Sequence, residues 1–264
     1  MASRRGGCGH YMNDWLIRLA EEAGRTALDY RRVGFDVQTK ADGSPVTTAD
    51  LAIDRFLHDE IAVRHPGDCI LSEESEDAPD RLGARRVWIV DPIDGTAHFA
   101  GGRDGFGTLI ALCVDGAAEE CVAHFPALAL TLYARCGDGA YVNGRRVAVS
   151  TGTGGHAKIA THAQRFLPLH SAPAQIGNNA VAIFKVITGE IDGCVAATTA
   201  STGEHDYAWA SCAVEAAGGK LTDIQGAPLR YNKPVRTMPS VLVCSNGHIH
   251  EILRQRVLSL SETH

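Results

Sequence analysis

The sequence predicts a mixed α/β fold in which helices and sheets are packed in layers. Short apolar runs that suit buried strands alternate with segments whose apolar residues recur at helical spacing, and turn signals divide the middle of the chain into strands. The chain has 264 residues, of which 45% are hydrophobic, and this is enough for a buried core. That length allows one large domain or two closely packed halves.

The first third of the chain is predicted to hold two helices and two short strands. A helix is expected over 11–33, where apolar residues form one stripe, and a glycine and proline loop follows at 42–45. The second helix ends before Pro66. The apolar runs 69–71 and 87–90 suit buried strands, and each leads into acidic residues. Carboxylates at strand ends, where the chain leaves the core, are positioned for chemistry rather than burial.

The middle of the chain is predicted to form a meander of strands over 106–149, because turn signals such as Asn143-Gly144 separate its apolar runs. The glycine-rich stretch 151–155 lacks the spacing of a nucleotide-binding loop, so we interpret it as a linker between two halves, 1–150 and 151–264. Strands and helices alternate in the second half. The predicted strands are 158–161, 191–196, 220–223 and 240–244, and the predicted helices are 177–188, 206–217 and 247–258.

Composition excludes several classes of protein. The formal net charge is −6 and no basic run or basic-aromatic patch is present, so nucleic-acid binding is not expected. No apolar stretch approaches the length of a membrane span, and the N-terminus lacks the apolar segment of a secretion signal, so we expect a cytoplasmic protein. The eight cysteines are scattered singly, which favours free thiols over disulfides or a zinc site.

Acidic residues stand where the pattern predicts strand ends and helix starts. Glu73 follows the first predicted strand, Asp91 and Asp94 follow the second, and Asp50 and Asp206 each open a helix. Several carboxylates can converge only if cations offset their repulsion, and Mg²⁺ prefers oxygen ligands. A phosphate monoester is itself anionic, so an acidic pocket without metal would repel it. With two or three metal ions, the same carboxylates become a near-neutral cage for phosphate.

The segment Asp94-Gly95-Thr96 adds a second element to this site. Glycine lets backbone N–H groups approach an anion closely, and Thr96 offers a hydroxyl at the predicted start of a helix, where phosphate is favoured. The alternative is an aspartate-rich turn with helix caps. A calcium loop fits less well, because Pro92 and Ile93 break the alternation of ligands.

Four segments in order along nearly the whole chain resemble the inositol monophosphatase family of magnesium-dependent, lithium-sensitive phosphatases. They are 40–50, 71–75, 88–96 (WIVDPIDGT, the most specific of them) and 205–219. The resemblance implies a layered αβαβα sandwich of two α+β halves that commonly forms a homodimer. It also implies a phosphatase of a small phosphorylated metabolite, with two or three Mg²⁺ ions for which Mn²⁺ can substitute.

The resemblance assigns metal ligands residue by residue. Glu73, Asp91 and the carbonyl of Ile93 would hold the first ion, and Asp91, Asp94 and Asp206 would hold the second. A third ion, bound more weakly, would lie near Glu73.

The resemblance also assigns the catalytic and phosphate-binding residues. Gly95 and Thr96, together with Asp94, would contact the phosphate. Glu73 and Thr96 would orient a metal-activated water, and Asp50 would support the threonine. No covalent phosphoenzyme would form.

Departures from the family bear on the substrate. The tryptophan that usually precedes the metal-binding aspartate is His205 here, and Thr199 stands where inositol enzymes carry an upstream glutamate. His98 is either a surface helix residue or a substrate contact. The remaining predicted substrate contacts are Asn178 and Asn179, for which capping a helix is the alternative, and Glu204.

The substrate therefore stays open among inositol or cyclitol, sugar, nucleotide and amino-alcohol phosphates. The stretch 106–112 and the pair Asp206-Tyr207 resemble histidinol-phosphate phosphatases, whereas Glu204 and 228–233 resemble 3′(2′),5′-bisphosphate nucleotidases. A sugar bisphosphatase lacks an obvious basic cluster for a second phosphate. A non-catalytic member that binds a phosphorylated ligand is disfavoured, because every metal position and Thr96 are present.

Overall fold

The N-terminal part of the fold is an antiparallel hairpin between two helices. The structure is a computed structural model, and it describes residues 12–154, 156–171 and 178–262 of the chain. The N-terminal part consists of α1 (Asp14–Val33), β1 (Val37–Thr39), β2 (Pro45–Thr47) and α2 (Thr48–Arg64). Helix α1 begins where the Asn13 side chain accepts a hydrogen bond from the Leu16 amide. Helix α2 begins with a capping box between Thr47 and Asp50.

The apolar runs of the first half pair into a seven-stranded sheet, in the order β3-β4-β5-β6-β7-β8-β9. Its strands are β3 (Cys69–Ser72), β4 (Arg86–Asp94), β5 (Gly107–Val114), β6 (Ala117–Phe125), β7 (Leu130–Arg135), β8 (Gly139–Val142) and β9 (Arg145–Val147). Strands β3 and β4 are parallel and the remaining neighbours are antiparallel. Both residues of the Asn143-Gly144 turn have positive φ, as a tight hairpin requires.

The second half supplies a four-stranded sheet and three helices, and a short helix α3 (Thr96–Ala100) follows β4. The strands are β10 (Ile159–Thr161), β11 (Gly193–Ala197), β12 (Lys220–Asp223) and β13 (Val241–Ser245), in the order β10-β11-β13-β12. The helices are α4 (Asn179–Ile187), α5 (Glu204–Ala216) and α6 (His250–Glu262).

These elements form five layers. Helices α1 and α2 pack on one face of the larger sheet around Ile53, Leu57 and Trp88. Helices α4 and α5 lie between the two sheets, where Ile183 and Trp209 belong to the central core. Helix α6 covers the far face of the smaller sheet. The predicted αβαβα sandwich is therefore confirmed, while the division at residue 150 stays a prediction.

Several local details differ from the sequence prediction. The expected loop at 42–45 connects the hairpin β1–β2, and strand β4 continues past Val90 to Asp94 instead of ending before Asp91. Three 3₁₀ turns were not predicted, namely Pro79–Gly83, Pro126–Leu128 and Gln164–Leu169. Residues 11 and 177, the predicted starts of two helices, lie outside the described residues.

Two global features concern only the part of the chain that the structure describes. Within it, no helix combines the length and the apolar composition needed to cross a bilayer. Its seven cysteines are all free thiols, most of them buried, and Cys8 lies outside the described residues.

The contact between α1 and β6 gives a test of the packing. A Cβ atom on Gly24 would lie 2.3 Å from Cδ2 of the buried His124. Alanine is a better helix former than glycine by about 1 kcal/mol, but overpacking costs about 1–3 kcal/mol. We therefore expect Gly24→Ala to lower the free energy of unfolding, measured by urea denaturation. The control Arg25→Ala, at an exposed neighbouring position, should change the free energy of unfolding by less than about 0.5 kcal/mol. A Gly24→Ala protein that is more stable than the unmodified protein would contradict this packing.

Candidate metal centre and active site

The site forms at the edge of the larger sheet where the parallel strands β3 and β4 both end. The amide of Glu73 donates to the carbonyl of Val90 at 3.2 Å, which continues the pairing of the two strands. The register of β4 against β5 is irregular between Asp91 and Asp94. Residues three apart in a regular strand point to opposite faces, so this irregularity allows both carboxylates to reach the same site.

Helix α5 brings the second half of the chain to this edge. Asp206 lies in its first turn, and one carboxylate oxygen accepts a hydrogen bond of 2.7 Å from the Gly203 amide. The remaining side-chain surface faces Asp91 and Asp94, and ligand atoms of these three residues all lie within 4.8 Å of one another. A second group with the same spacing consists of Glu73, Asp91 and His205, so Asp91 belongs to both groups.

Crowding and burial change the titration of these acids. Burial raises the pKa of Asp91 well above its usual range, and the charges of Glu73 and Asp94 raise it further. Removal from water, together with the charges of Asp206 and Glu73, raises the pKa of Asp94 to about 8. Burial also raises the pKa of Asp206. Oxygen Oδ1 of Asp91 is buried and has no hydrogen-bond partner. A set of oxygen donors that repel one another and include an unpartnered atom fits divalent cations.

The predicted catalytic residues lie beside this cluster. The hydroxyl Oγ1 of Thr96 is 3.0 Å from the carbonyl oxygen of Ile93 and 3.4 Å from Oδ1 of Asp50. Asp50 is fully buried, and its other oxygen accepts hydrogen bonds from the amide and hydroxyl of Thr47. The structure thus brings Thr96, Asp50 and the Ile93 carbonyl together, in the arrangement expected for a threonine that is supported by an aspartate.

Gly95 connects Asp94 to helix α3 in a conformation that favours glycine. Its φ is +77°, and a Cβ atom would lie 2.8 Å from the carbonyl oxygen of Gly105 and 3.1 Å from the side-chain nitrogen of Asn178. A side chain at this position would therefore collide with the Gly105 backbone and strain the local conformation, so the position requires glycine.

The two asparagines at the start of α4 have different roles. Asn178 caps the helix by accepting a hydrogen bond from the Val181 amide, and its amide nitrogen donates to Asp94 at 3.1 Å. Asn178 therefore orients a predicted metal ligand in addition to capping its helix. Asn179 donates to the hydroxyl of Tyr207 at 3.4 Å.

Two recesses flank the carboxylate cluster. A recess of about 180 Å³ is lined by Asp94, Gly95, Asn178, Asn179, Ala180, Thr202, Asp206 and Tyr207. A second recess of about 250 Å³ is lined by Glu73 and His205 together with Lys40, Asp42, Arg236, Thr237 and residues 200–203. His98 lines neither of these recesses and lies half-buried against Gly105; burial lowers its pKa.

The prediction that Glu204 contacts the substrate is corrected by the structure. Its carboxylate is fully buried and accepts hydrogen bonds from the backbone amides of Asn232, at 2.6 Å, and Lys233, at 3.0 Å. Asn232 in turn accepts a hydrogen bond from the buried guanidinium of Arg81 and donates one to the backbone carbonyl of Arg81. The carboxylate therefore satisfies two backbone N–H groups of residues 232 and 233, and because its side chain has no exposed surface it is not accessible to a substrate.

Two functional residues were missed by sequence reasoning. Lys40 places its ammonium 2.6 Å from Glu73 and 2.7 Å from Glu74, and burial raises the pKa of Glu74 to about 7. Asp54 accepts hydrogen bonds of 2.5 Å from both Ser72 and Ser75, which flank Glu73 and Glu74. Asp54 lies one helical turn after Asp50, so helical spacing was the signal that could have found it.

Carboxylates that converge beside a threonine hydroxyl, at the edge of a layered α/β sandwich, define a phosphatase whose centre is suited to metal ions. A model of the inositol monophosphatase family matches residues 10–262. The chain therefore belongs to the inositol monophosphatase family, whose members are generally metal-dependent, and it is a phosphoric monoester hydrolase acting on phosphorylated small metabolites.

Similar proteins carry several different names. A histidinol-phosphatase from Chlorobaculum parvum is 42% identical over 135 residues, which is 51% of each chain. A Streptomyces griseus protein named glucose-1-phosphate thymidylyltransferase is 33% identical over 79% of this chain and 84% of its own. The 3′(2′),5′-bisphosphate nucleotidase CysQ of Aggregatibacter actinomycetemcomitans is 30% identical over 85% of this chain and 88% of its own. Among solved structures, Thermotoga maritima IMPase is similar with a TM-score of 0.79 at 27% identity. The alignment covers 95% of this chain and 98% of that protein's chain.

The raised pKa of Asp94 predicts a pH-dependent stability for the metal-free protein. In the unfolded chain this carboxyl has a pKa near 4, so between about pH 4 and pH 8 the folded state binds the additional proton. Because the folded state binds more protons than the unfolded state in this range, the free energy of unfolding falls as the pH rises toward 8. In excess chelator, we expect the urea midpoint to fall more between pH 6.5 and pH 8 for the unmodified protein than for Asp94→Asn. Histidines and cysteines contribute equally to both proteins, so an identical decline would contradict the prediction.

Proposed function

We propose that this protein hydrolyses a phosphate monoester of a small metabolite with Mg²⁺ as its natural cofactor and water as the nucleophile. The observation that carries the proposal is the pair of ligand groups that share Asp91, one with Glu73 and one with Asp94 and Asp206. Bound cations lower the pKa of a coordinated water and neutralise charge that develops on phosphate. The Ile93 carbonyl, adjacent to this pair, is proposed as a further ligand.

The residues around the cluster are proposed to position the reactants. The backbone at Gly95 and the Thr96 hydroxyl would bind phosphate oxygens, because Gly95 lines the smaller recess and Thr96 follows it at the start of α3. Glu73 and Thr96 would orient the attacking water. Asp50 would hold the Thr96 hydroxyl in place, since its other oxygen is already fixed by Thr47.

The smaller recess is proposed to hold the alcohol part of the substrate. Amide and hydroxyl groups from Asn179, Thr202 and Tyr207 contribute to its lining, and such groups suit a hydroxylated metabolite. Inositol or cyclitol, sugar, nucleotide and amino-alcohol phosphates all have this character. Asn178 would contribute by orienting Asp94.

A second candidate function is that of a 3′(2′),5′-bisphosphate nucleotidase. The larger recess contains Arg236, and a partly exposed guanidinium next to the cluster suits a substrate with a second phosphate, whereas the ammonium of Lys40 in the same recess pairs with Glu73 and Glu74. The CysQ relative supports this candidate. The burial of Glu204 removes one of the sequence fragments that suggested it.

A cytoplasmic location is proposed from the composition of the chain. A homodimer, Mn²⁺ as a substitute for Mg²⁺ and inhibition by Li⁺ are proposed from the family resemblance. Sedimentation velocity of the purified chain tests the homodimer, and a single species of 28.1 kDa would contradict it.

The proposed function predicts metal-dependent release of phosphate. A screen with Mg²⁺ should include inositol phosphates, histidinol phosphate, adenosine 3′,5′-bisphosphate, nucleoside monophosphates and sugar phosphates. Asp91→Asn should lower kcat by about a thousandfold, because it removes a charge common to both ligand groups. The exposed Asp138→Asn serves as the matched control.

Two results would decide against this function. Full activity in excess chelator would exclude the metal mechanism. Phosphate binding that depends on metal, without turnover of any substrate, would support a non-catalytic binding protein instead.

The second candidate makes a separate prediction for Arg236. Its guanidinium lies 3.9 Å from Asp77, partly exposed in the larger recess. Arg236→Gln should reduce kcat/KM for adenosine 3′,5′-bisphosphate about tenfold, the cost of one charge-assisted hydrogen bond, and leave nucleoside monophosphates within about twofold. The exposed Arg135→Gln is the control. Equal losses on both substrates would show that the recess does not bind a second phosphate.

A further inference from the structure

His205 stands where the family usually carries tryptophan, and its imidazole lies inside the carboxylate cluster. Atom Nε2 is 3.2 Å from Oδ2 of Asp206 and 3.9 Å from Oε2 of Glu73. The side chain is 12% exposed, so it is mostly enclosed by protein while it still reaches the larger recess. A tryptophan ring offers a donor N–H only, whereas a neutral imidazole has a nitrogen lone pair that binds metal ions.

The spacing of His205 is that of a ligand. One ring nitrogen lies within 4.8 Å of carboxylate oxygens of both Glu73 and Asp91, and those two oxygens also lie within 4.8 Å of each other. Donor atoms about 2.1 Å from one ion are separated by no more than about 4.2 Å when they lie on opposite sides of it. Small side-chain adjustments therefore suffice for all three residues to bind the same ion.

Two further observations indicate that the position of the ring is built into the fold. A Cβ atom on Gly203 would lie 2.4 Å from Cε1 and 2.7 Å from Nδ1 of His205, so the ring occupies space that only glycine leaves free. The Gly203 amide is held by Asp206 at the start of α5, which fixes the backbone on both sides of the histidine. In addition, Oδ1 of Asp91 is buried without a hydrogen-bond partner, so it has a lone pair available to coordinate an ion.

We propose that His205 is a nitrogen ligand of the metal ion held by Glu73 and Asp91, and that this nitrogen raises the affinity of the position for divalent transition ions such as Mn²⁺ relative to its affinity for Mg²⁺. Imidazole nitrogen binds Mn²⁺, Co²⁺ and Zn²⁺ more readily than Mg²⁺, which prefers oxygen. The proposal rests on the proposed function only in placing a metal ion at this centre. A role limited to hydrogen bonding with Asp206 is the alternative that the experiment must separate.

Pulsed EPR of Mn²⁺ bound to the full-length protein, without substrate, tests direct coordination. We expect electron spin echo modulation from ¹⁴N, which changes to the ¹⁵N pattern when the protein is grown with ¹⁵N-labelled histidine. This measurement needs no mutation, so it does not depend on the folding of a variant. Absence of nitrogen modulation in protein that holds stoichiometric Mn²⁺ would overturn the proposal.

A variant assigns the signal to one residue and tests the selectivity. His205→Gln should lose the nitrogen modulation and weaken Mn²⁺ binding at least about tenfold, with a change of about threefold or less for Mg²⁺, measured by calorimetry. His248→Gln, at an exposed histidine, should change neither value. Modulation that survives in His205→Gln, or equal losses for the two ions, would contradict the proposal. Failure to release phosphate from any substrate would instead overturn the proposed function and leave these binding measurements unaffected.

Discussion

The structure depends on one unfavourable interaction, the mutual repulsion of the carboxylates around Asp91. Asp91 is buried, and burial together with the charges of Glu73 and Asp94 raises its pKa. Two contacts with neighbouring residues partly offset this repulsion. The Gly203 amide at the start of α5 donates to Asp206, and the ammonium of Lys40 pairs with Glu73. None of these contacts neutralises the cluster. In the function proposed above, this cluster of carboxylates would attract cations and, through them, a phosphate ester.

The layered fold keeps the repelling acids close together, because the strands and the helix that carry them are packed against one another. Strands β3 and β4 are adjacent in the larger sheet, and α5 is clamped between the two sheets by the central core. Within α5, Trp209 is completely buried and donates to the carbonyl of Asp206 at 3.0 Å. Hydrophobic burial over the whole helix thus offsets an electrostatic cost at its first turn.

The sequence was informative about the parts of the site that are local. The segment 88–96 contains a strand, both aspartates and the start of a helix, so its pattern alone indicated that these carboxylates lie where the strand leaves the sheet. Asp54 was missed although it lies only one helical turn after Asp50. The contact of Lys40 with the cluster was not found, because it joins distant residues; Lys40 and Glu73 are 33 positions apart. Glu204 was misinterpreted for the same reason, since its partner at Asn232 could not be seen from its own neighbourhood.

The buried pairing of Glu204 with the loop at 232–233 has a consequence for enzyme engineering. Exchanging this glutamate to redirect the enzyme between metabolites would leave two backbone N–H groups without an acceptor, and it would disturb the attachment of that loop to Arg81. The same loop leads to Arg236 and Thr237 in the larger recess. A change in turnover after such an exchange would therefore result from displacement of the residues that line the recess. It would not show that Glu204 contacts the substrate.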